Sequence, residues 1–169
     1  LSELSRQFSG EGVVSLKKEG KDEAFVFDER KLTNDEKVLL TAALLVGKAV
    51  KNLYPKAEVA GIGFYHDQAY VDVAGVEMST EKFAPLEEQA CSILGKKLTV
   101  EKIPVQQITN ALQKDIVEDI GKSAAGYSLD GMKVVPLYKE PFLAVEKVKA
   151  LKVLNQSKVY WKNNVNNAQ

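Results

Sequence analysis

The sequence is short of the residues that most reactive sites are built from. Its 169 residues hold one cysteine, one histidine and one tryptophan. A single cysteine, Cys91, excludes an intrachain disulfide and a cysteine-based zinc finger. It suits a reducing compartment. The formal net charge is zero, from 23 basic and 23 acidic residues, so any nucleic-acid-binding surface has to be local rather than global. No apolar run approaches the roughly 20 residues of a membrane span, and no signal-peptide pattern opens the chain. Ser123-Ala124-Ala125-Gly126 lacks the spacing and context of a phosphate-binding loop. The chain opens on Leu1 and closes on Asn166-Asn167-Ala168-Gln169, and is expected to be a piece of a longer polypeptide.

What is present is an ordinary core. The apolar fraction of 45% permits one folded domain. Leu39, Ala42, Ala43, Val46, Val50 and Leu53 recur at helical spacing, with Leu40 and Leu44 one turn apart on the adjoining flank. Asn34, Asp35 and Glu36 supply capping oxygens and negative charge at the start of this helix. Pro55 stops it and forces Tyr54 out of helical geometry. Upstream, Val13–Leu16 and Ala24–Phe27 flank a charged turn and predict a short hairpin. Downstream, Val59–Phe64 and Ala69–Val73 predict two strands around His66-Asp67-Gln68. A second helix starts near Thr80, a plausible cap, and runs over Phe83, Leu86, Ala90, Ile93 and Leu94 to Gly95. Leu98, Val100 and Ile103 alternate as a strand. Ile108–Leu112 predicts a short helix, Lys114–Gly121 helical structure, Lys122–Gly131 a loop and Val134–Tyr138 a strand.

Several of these stretches resemble one family. Leu40-Thr41-Ala42-Ala43-Leu44 and Ala49–Pro55 are similar to the H-x-x-A-H pattern and the alanine-rich helix ending in L-Y-P of the editing domain of bacterial threonyl-tRNA synthetases. Tyr70 and Asp72 fall on the tyrosine and aspartate of the family's G-F-Y-Y-D stretch. Val134–Phe142 takes the register of F-V-D-L-C-x-G-P-H through Leu137 and Pro141. Lys149–Leu154 and Val159–Lys162 resemble K-A-F-K-L-L and G-A-Y-W-R. The resemblance spans residues 33–169, and residues 1–32 are expected to be a linker or remnant hairpin. It implies an α+β fold with an antiparallel sheet packed on a long central helix.

The family reaction is hydrolysis of a wrongly attached amino acid from tRNA, which needs an oriented water and donors for the developing oxyanion. The family's two helix histidines fall on Leu40 and Leu44, its cysteine on Tyr138 and its last histidine on Phe142. In some members these four hold zinc. Here none is a metal-ligating thiol or imidazole, so the resemblance implies a filled, catalytically dead cleft with no metal site. Buried leucines and aromatics of this kind contribute about 1.5–3 kcal/mol each.

Other candidates have plain readings. His66 sits in a polar turn and reads as solvated. Cys91 reads as a small core or boundary residue without a histidine near it. Tyr138 could hydrogen-bond within the cleft, but a neutral phenol is a weak base near pH 7. Lys147, Lys149, Lys152, Lys158 and Lys162, interleaved with Tyr160 and Trp161, read as a solvated strand edge or as an RNA-contacting face.

The expectation is a degenerate, non-hydrolytic editing-like domain of a threonyl-tRNA synthetase, structural or tRNA-positioning. Tyr70, Asp72, Lys149, Lys152, Tyr160, Trp161 and Lys162 are the candidate tRNA or cleft contacts. Two alternatives stand beside it: a non-catalytic synthetase-like component of a mitochondrial ribosome, and a deacylase whose groups have moved to His66, Asp72 or Tyr138. The resemblance implies a C-terminal catalytic domain in the same polypeptide as partner. That core would hold zinc, ATP and magnesium, allow a homodimer and place the protein in the cytoplasm, or in mitochondria on the alternative reading. This chain itself is expected to need no cofactor and no membrane.

Overall fold

The computed structural model describes residues 14–16, 25–65, 68–77 and 79–153. The fold is α+β, built from three helices and two small sheets among these residues. In order, the elements are β1 (Val14–Leu16), α1 (Asn34–Leu53), β2 (Glu58–Tyr65), β3 (Gln68–Ala74), α2 (Phe83–Gly95), β4 (Val100–Ile103), α3 (Ala111–Ile120), β5 (Gly126–Leu129) and β6 (Met132–Val134). No described helix is long and apolar enough to cross a membrane.

Helix α1 is 20 residues long, and every residue from Val38 to Gly47 is buried. Such burial on all faces needs small residues where neighbours come close, which Ala42, Ala43 and Gly47 supply. The helix packs on β2, β3 and α2 and touches β5 and β6. Its start is a capping box: Thr33 accepts from the Glu36 N–H, and Glu36 accepts from the Thr33 N–H at 2.8 Å. The cap is therefore Thr33, not the expected Asn34, because the T-x-x-E spacing satisfies two orphan donors at once. Tyr54 leaves the helix at φ −131°, as Pro55 requires.

One antiparallel sheet was the expectation, but two three-stranded sheets form, in the orders β1-β3-β2 and β4-β5-β6. The first is mixed. Among the described residues the expected N-terminal hairpin does not form, because β1 pairs in parallel with β3 (Val14↔Val71). Residues 25–28 lie elsewhere: Asp28 forms a parallel bridge to Tyr138, and its N–H donates to the Leu137 carbonyl at 2.8 Å. The second sheet contains β5, within the stretch expected to be a loop. Asp130 and Gly131, both at positive φ, close a two-residue β5–β6 hairpin. The strand expected over 134–138 ends at Val134.

Other boundaries shift for local reasons. Ser79 precedes a 3-10 turn at Thr80–Lys82 that runs into α2, and Thr80 is not its cap. The short helix expected over 108–112 is replaced by a 3-10 turn at Val105–Gln107. Helix α3 then begins behind Asn110, whose Oδ1 accepts from the N–H groups of Leu112 and Gln113.

The two sheets are tied by one side chain. Gln113 on α3 is 1% exposed. Its Nε2 donates to the Val59 carbonyl at 2.8 Å and the Lys133 carbonyl at 2.9 Å, while its Oε1 accepts from the Val135 N–H at 2.6 Å. The register of β2 shifts between Val59 and Gly61, and this bulge leaves the Val59 carbonyl available to the amide. Gln113→Leu would leave an apolar side chain there and strand two buried backbone groups and one part-buried one. We predict a loss of about 3–5 kcal/mol in urea unfolding, with little change in the transition slope.

Candidate functional site

The four positions on which the family's catalytic residues were expected to fall divide between the interior and two aromatic pairs. Leu40 and Leu44 are each 0% exposed, so neither can touch solvent or a ligand in this conformation. Between them, Thr41 is also buried. Its hydroxyl donates to the Lys37 carbonyl at 2.7 Å and accepts from the Leu143 N–H at 3.1 Å, which ties α1 to the segment after Phe142.

Phe142 meets the edge of Tyr127, with ring centroids 5.1 Å apart and planes at 82°. The pair lines one side of an open groove of about 420 Å³, with Val100, Lys102 and Glu146 also on its walls. Tyr138 stacks on Phe64 at 5.3 Å and 28°. Its hydroxyl interacts with that of Tyr70 and with the Phe64 backbone. Burial, and secondarily the Asp28 carboxylate, push its phenol above the ordinary value of 10. The Tyr70 hydroxyl is enclosed although the residue as a whole is partly exposed. Burial first, then Tyr138 and Asp72, hold its phenol well above 10. Both phenols thus stay protonated at neutral pH and can donate, but neither is a base.

The Tyr70 ring lies across Gly63, its cross-strand partner in β2. A Cβ at Gly63 would stand 2.5 Å from the Tyr70 Cζ, so only glycine admits this ring position.

These positions do not fit zinc. Two enclosed leucines, a phenylalanine and a tyrosine offer no thiolate or imidazole. Among the described residues no three of His, Cys, Asp and Glu come together as a metal-holding group.

The remaining candidates scatter. Asp72 is half-buried on β3, in the register of Ser15 on β1. Lys147, Lys149 and Lys152 are exposed, while Val148, Leu151 and Val153 beside them are buried and anchor this stretch to the main core. Cys91 is exposed, with its Sγ 3.7 Å from the Leu151 carbonyl; burial and the Glu87 charge raise its thiol. A thiol so placed is a poor nucleophile. Ser123 ends a 3-10 turn after α3. His66, Lys158, Tyr160, Trp161 and Lys162 lie outside the described residues. Sequence reasoning missed Phe64, Tyr127 and Gly63 as members of the aromatic arrangement. The alternation of β2 and β3 places Gly63 and Tyr70 on their strands but gives no register.

The chain is similar to a threonine–tRNA ligase. It is 25% identical over 142 residues to that of Clostridium acetobutylicum, a match covering 75% of this chain and 22% of the relative. The chain thus spans about a fifth of the length of the curated relative it matches. No family model matches it.

Gly63→Ala would displace the Tyr70 ring and break the two-phenol contact. We predict a cost of about 1–3 kcal/mol, read as a lowered unfolding midpoint. The phenol shifts also set a sign with pH. Above 10 the unfolded chain gives up these protons while the folded chain keeps them, so stability falls as pH rises past that value. The fall should be shallower in Tyr70→Phe.

Proposed function

We propose that this chain is an editing-domain-like module of a threonyl-tRNA synthetase that does not hydrolyse misacylated tRNA and serves by structure or by positioning tRNA. The observation that carries the reading is the pairing of its similarity to a threonine–tRNA ligase with the burial of Leu40 and Leu44. The residues that stand where an oriented water and its base would be held are aliphatic and inaccessible. Ester hydrolysis needs a proton acceptor near the attacking water. Tyr138, the one polar side chain at the four positions, has its hydroxyl engaged with Tyr70 and Phe64 and its phenol raised. Aminoacylation, with its ATP, magnesium and zinc chemistry, belongs on this reading to other parts of a longer cytoplasmic polypeptide.

The tRNA-positioning role rests on the exposed Lys147, Lys149 and Lys152, held by the buried residues between them. Lysines in such a row meet phosphates without reading bases.

Seryl-tRNA incubated with the purified chain is expected to deacylate at the rate seen in buffer alone. Faster deacylation that Tyr138→Phe or Phe142→Ala abolishes would overturn the reading. In the same preparation, tRNA binding by fluorescence anisotropy should weaken in Lys149→Glu/Lys152→Glu and lose part of its salt dependence. Binding unchanged by that variant would leave the structural role alone.

A further inference from the structure

The open groove of about 420 Å³ beside Phe142 has the size of a ligand cleft. Its walls combine an aromatic pair, an ammonium and a carboxylate. Tyr127 lies on β5, and Phe142 meets its edge at 5.1 Å. Lys102 is the antiparallel partner of Tyr127 on β4, so both side chains leave the same face of the sheet. Glu146 stands on a 3-10 turn, Val145–Lys147, held by the buried Val145 and Val148. The Lys147 N–H donates to the Ala144 carbonyl and the Val148 N–H to the Val145 carbonyl, each at 2.9 Å, which fixes the turn. Lys102 and Glu146 are exposed, and the two rings are half-buried. Burial, then the Glu140 charge, push the Tyr127 phenol above its ordinary value, so it stays protonated.

We propose that this groove binds an unpaired guanosine of an RNA chain, with the base stacked on the Phe142–Tyr127 pair and its Watson–Crick edge on Glu146. An unstacked base presents a flat face that aromatic rings accept whatever its identity. The polar walls choose among the bases. A carboxylate only accepts, through two oxygens side by side. Guanine is the one standard base with two adjacent N–H donors, N1–H and the 2-amino group, so it meets both oxygens at once. Adenine and cytosine place a ring-nitrogen acceptor next to their amino group, and uracil flanks its one N–H with two carbonyls. Each of these sets a lone pair against the carboxylate. Lys102 supplies a donor of the kind that guanine O6 or N7 takes. Past Glu146 the chain continues into Lys147 and Lys149, both exposed, which suit the phosphates on either side of the base. Those phosphates favour a guanosine within an RNA over a free guanine nucleotide. The site rests on the RNA contact proposed for these lysines and adds to it a base that is read.

The test takes the full chain and fluorescently labelled hexauridylates in which one central residue is guanosine, adenosine or inosine, read by anisotropy. The guanosine hexamer is expected to bind about tenfold more tightly than the adenosine hexamer. Inosine keeps N1–H but lacks the 2-amino group, and should fall between them. Glu146→Gln, at an exposed position, should bring the guanosine hexamer to the adenosine level, because an amide presents one acceptor and one donor. Phe142→Ala should weaken all three. Lys149→Glu/Lys152→Glu should also weaken all three but keep their order, which separates the base site from the phosphate contact. Equal binding of the guanosine and adenosine hexamers would overturn the guanine site and leave the lysine contact standing. A preference that survives Glu146→Gln would overturn it too, as would the absence of any binding. GMP alone binding as tightly as the guanosine hexamer would assign the groove to a free nucleotide and overturn the RNA source.

Discussion

Gln113 donates twice and accepts once at the junction of the two sheets, and no apolar side chain could take its place there. A sheet edge that ends inside a protein leaves backbone groups without strand partners. Here the bulge in β2 leaves the Val59 carbonyl, and the end of β6 leaves the Lys133 carbonyl and the Val135 N–H. Each costs about 1–3 kcal/mol if buried and unpaired. One amide satisfies all three and thereby fixes how β2 and β6 meet. The placement of the amide depends in turn on Asn110, which caps α3 and sets where its first turn begins. The junction also sets where the chain goes next. Beyond Val135 it runs to Tyr138, whose ring lies on Phe64 of β2.

That geometry also bears on the four positions where the resemblance puts the family's catalytic residues. Leu40 and Leu44 sit in a helix buried over every face between Val38 and Gly47. An imidazole placed there would have to stay neutral and find hydrogen-bond partners, since a buried unpaired polar group costs several kcal/mol. Leucine removes that demand and adds dispersion contacts. Tyr138 and Phe142 do the same at the other side, each paired with another aromatic ring. Thr41 keeps a polar role, but a structural one, bonding α1 to the Leu143 backbone.

Much of the local structure was legible in the residues. The period of Leu39 to Leu53 located α1, Pro55 located its end, and the alternation from Val59 to Val73 located β2 and β3. Two further signals were present but passed over. Thr33-x-x-Glu36 marks a capping box, and Asp130-Gly131 marks a two-residue hairpin that turns part of an expected loop into β5 and pairs it with β6. What could not be read is long-range. Nothing local distinguishes Gln113 from any polar residue on an amphipathic helix, and its three partners lie at least 20 residues away. The same holds for residues 25–28. A short apolar run beside a charged turn looks like half of a hairpin until a more distant partner, here Leu137, competes for its N–H.

The central claim is that the place where a hydrolytic site would lie is packed with enclosed aliphatic groups and admits no aminoacyl ester. The direct measurement is a titration of the methyl-labelled protein with a non-hydrolysable seryl-adenosine analogue, following the Leu40 and Leu44 methyl resonances by NMR. The account predicts that neither moves at saturating analogue. A saturable shift of both, reporting a ligand lodged between them, would contradict it.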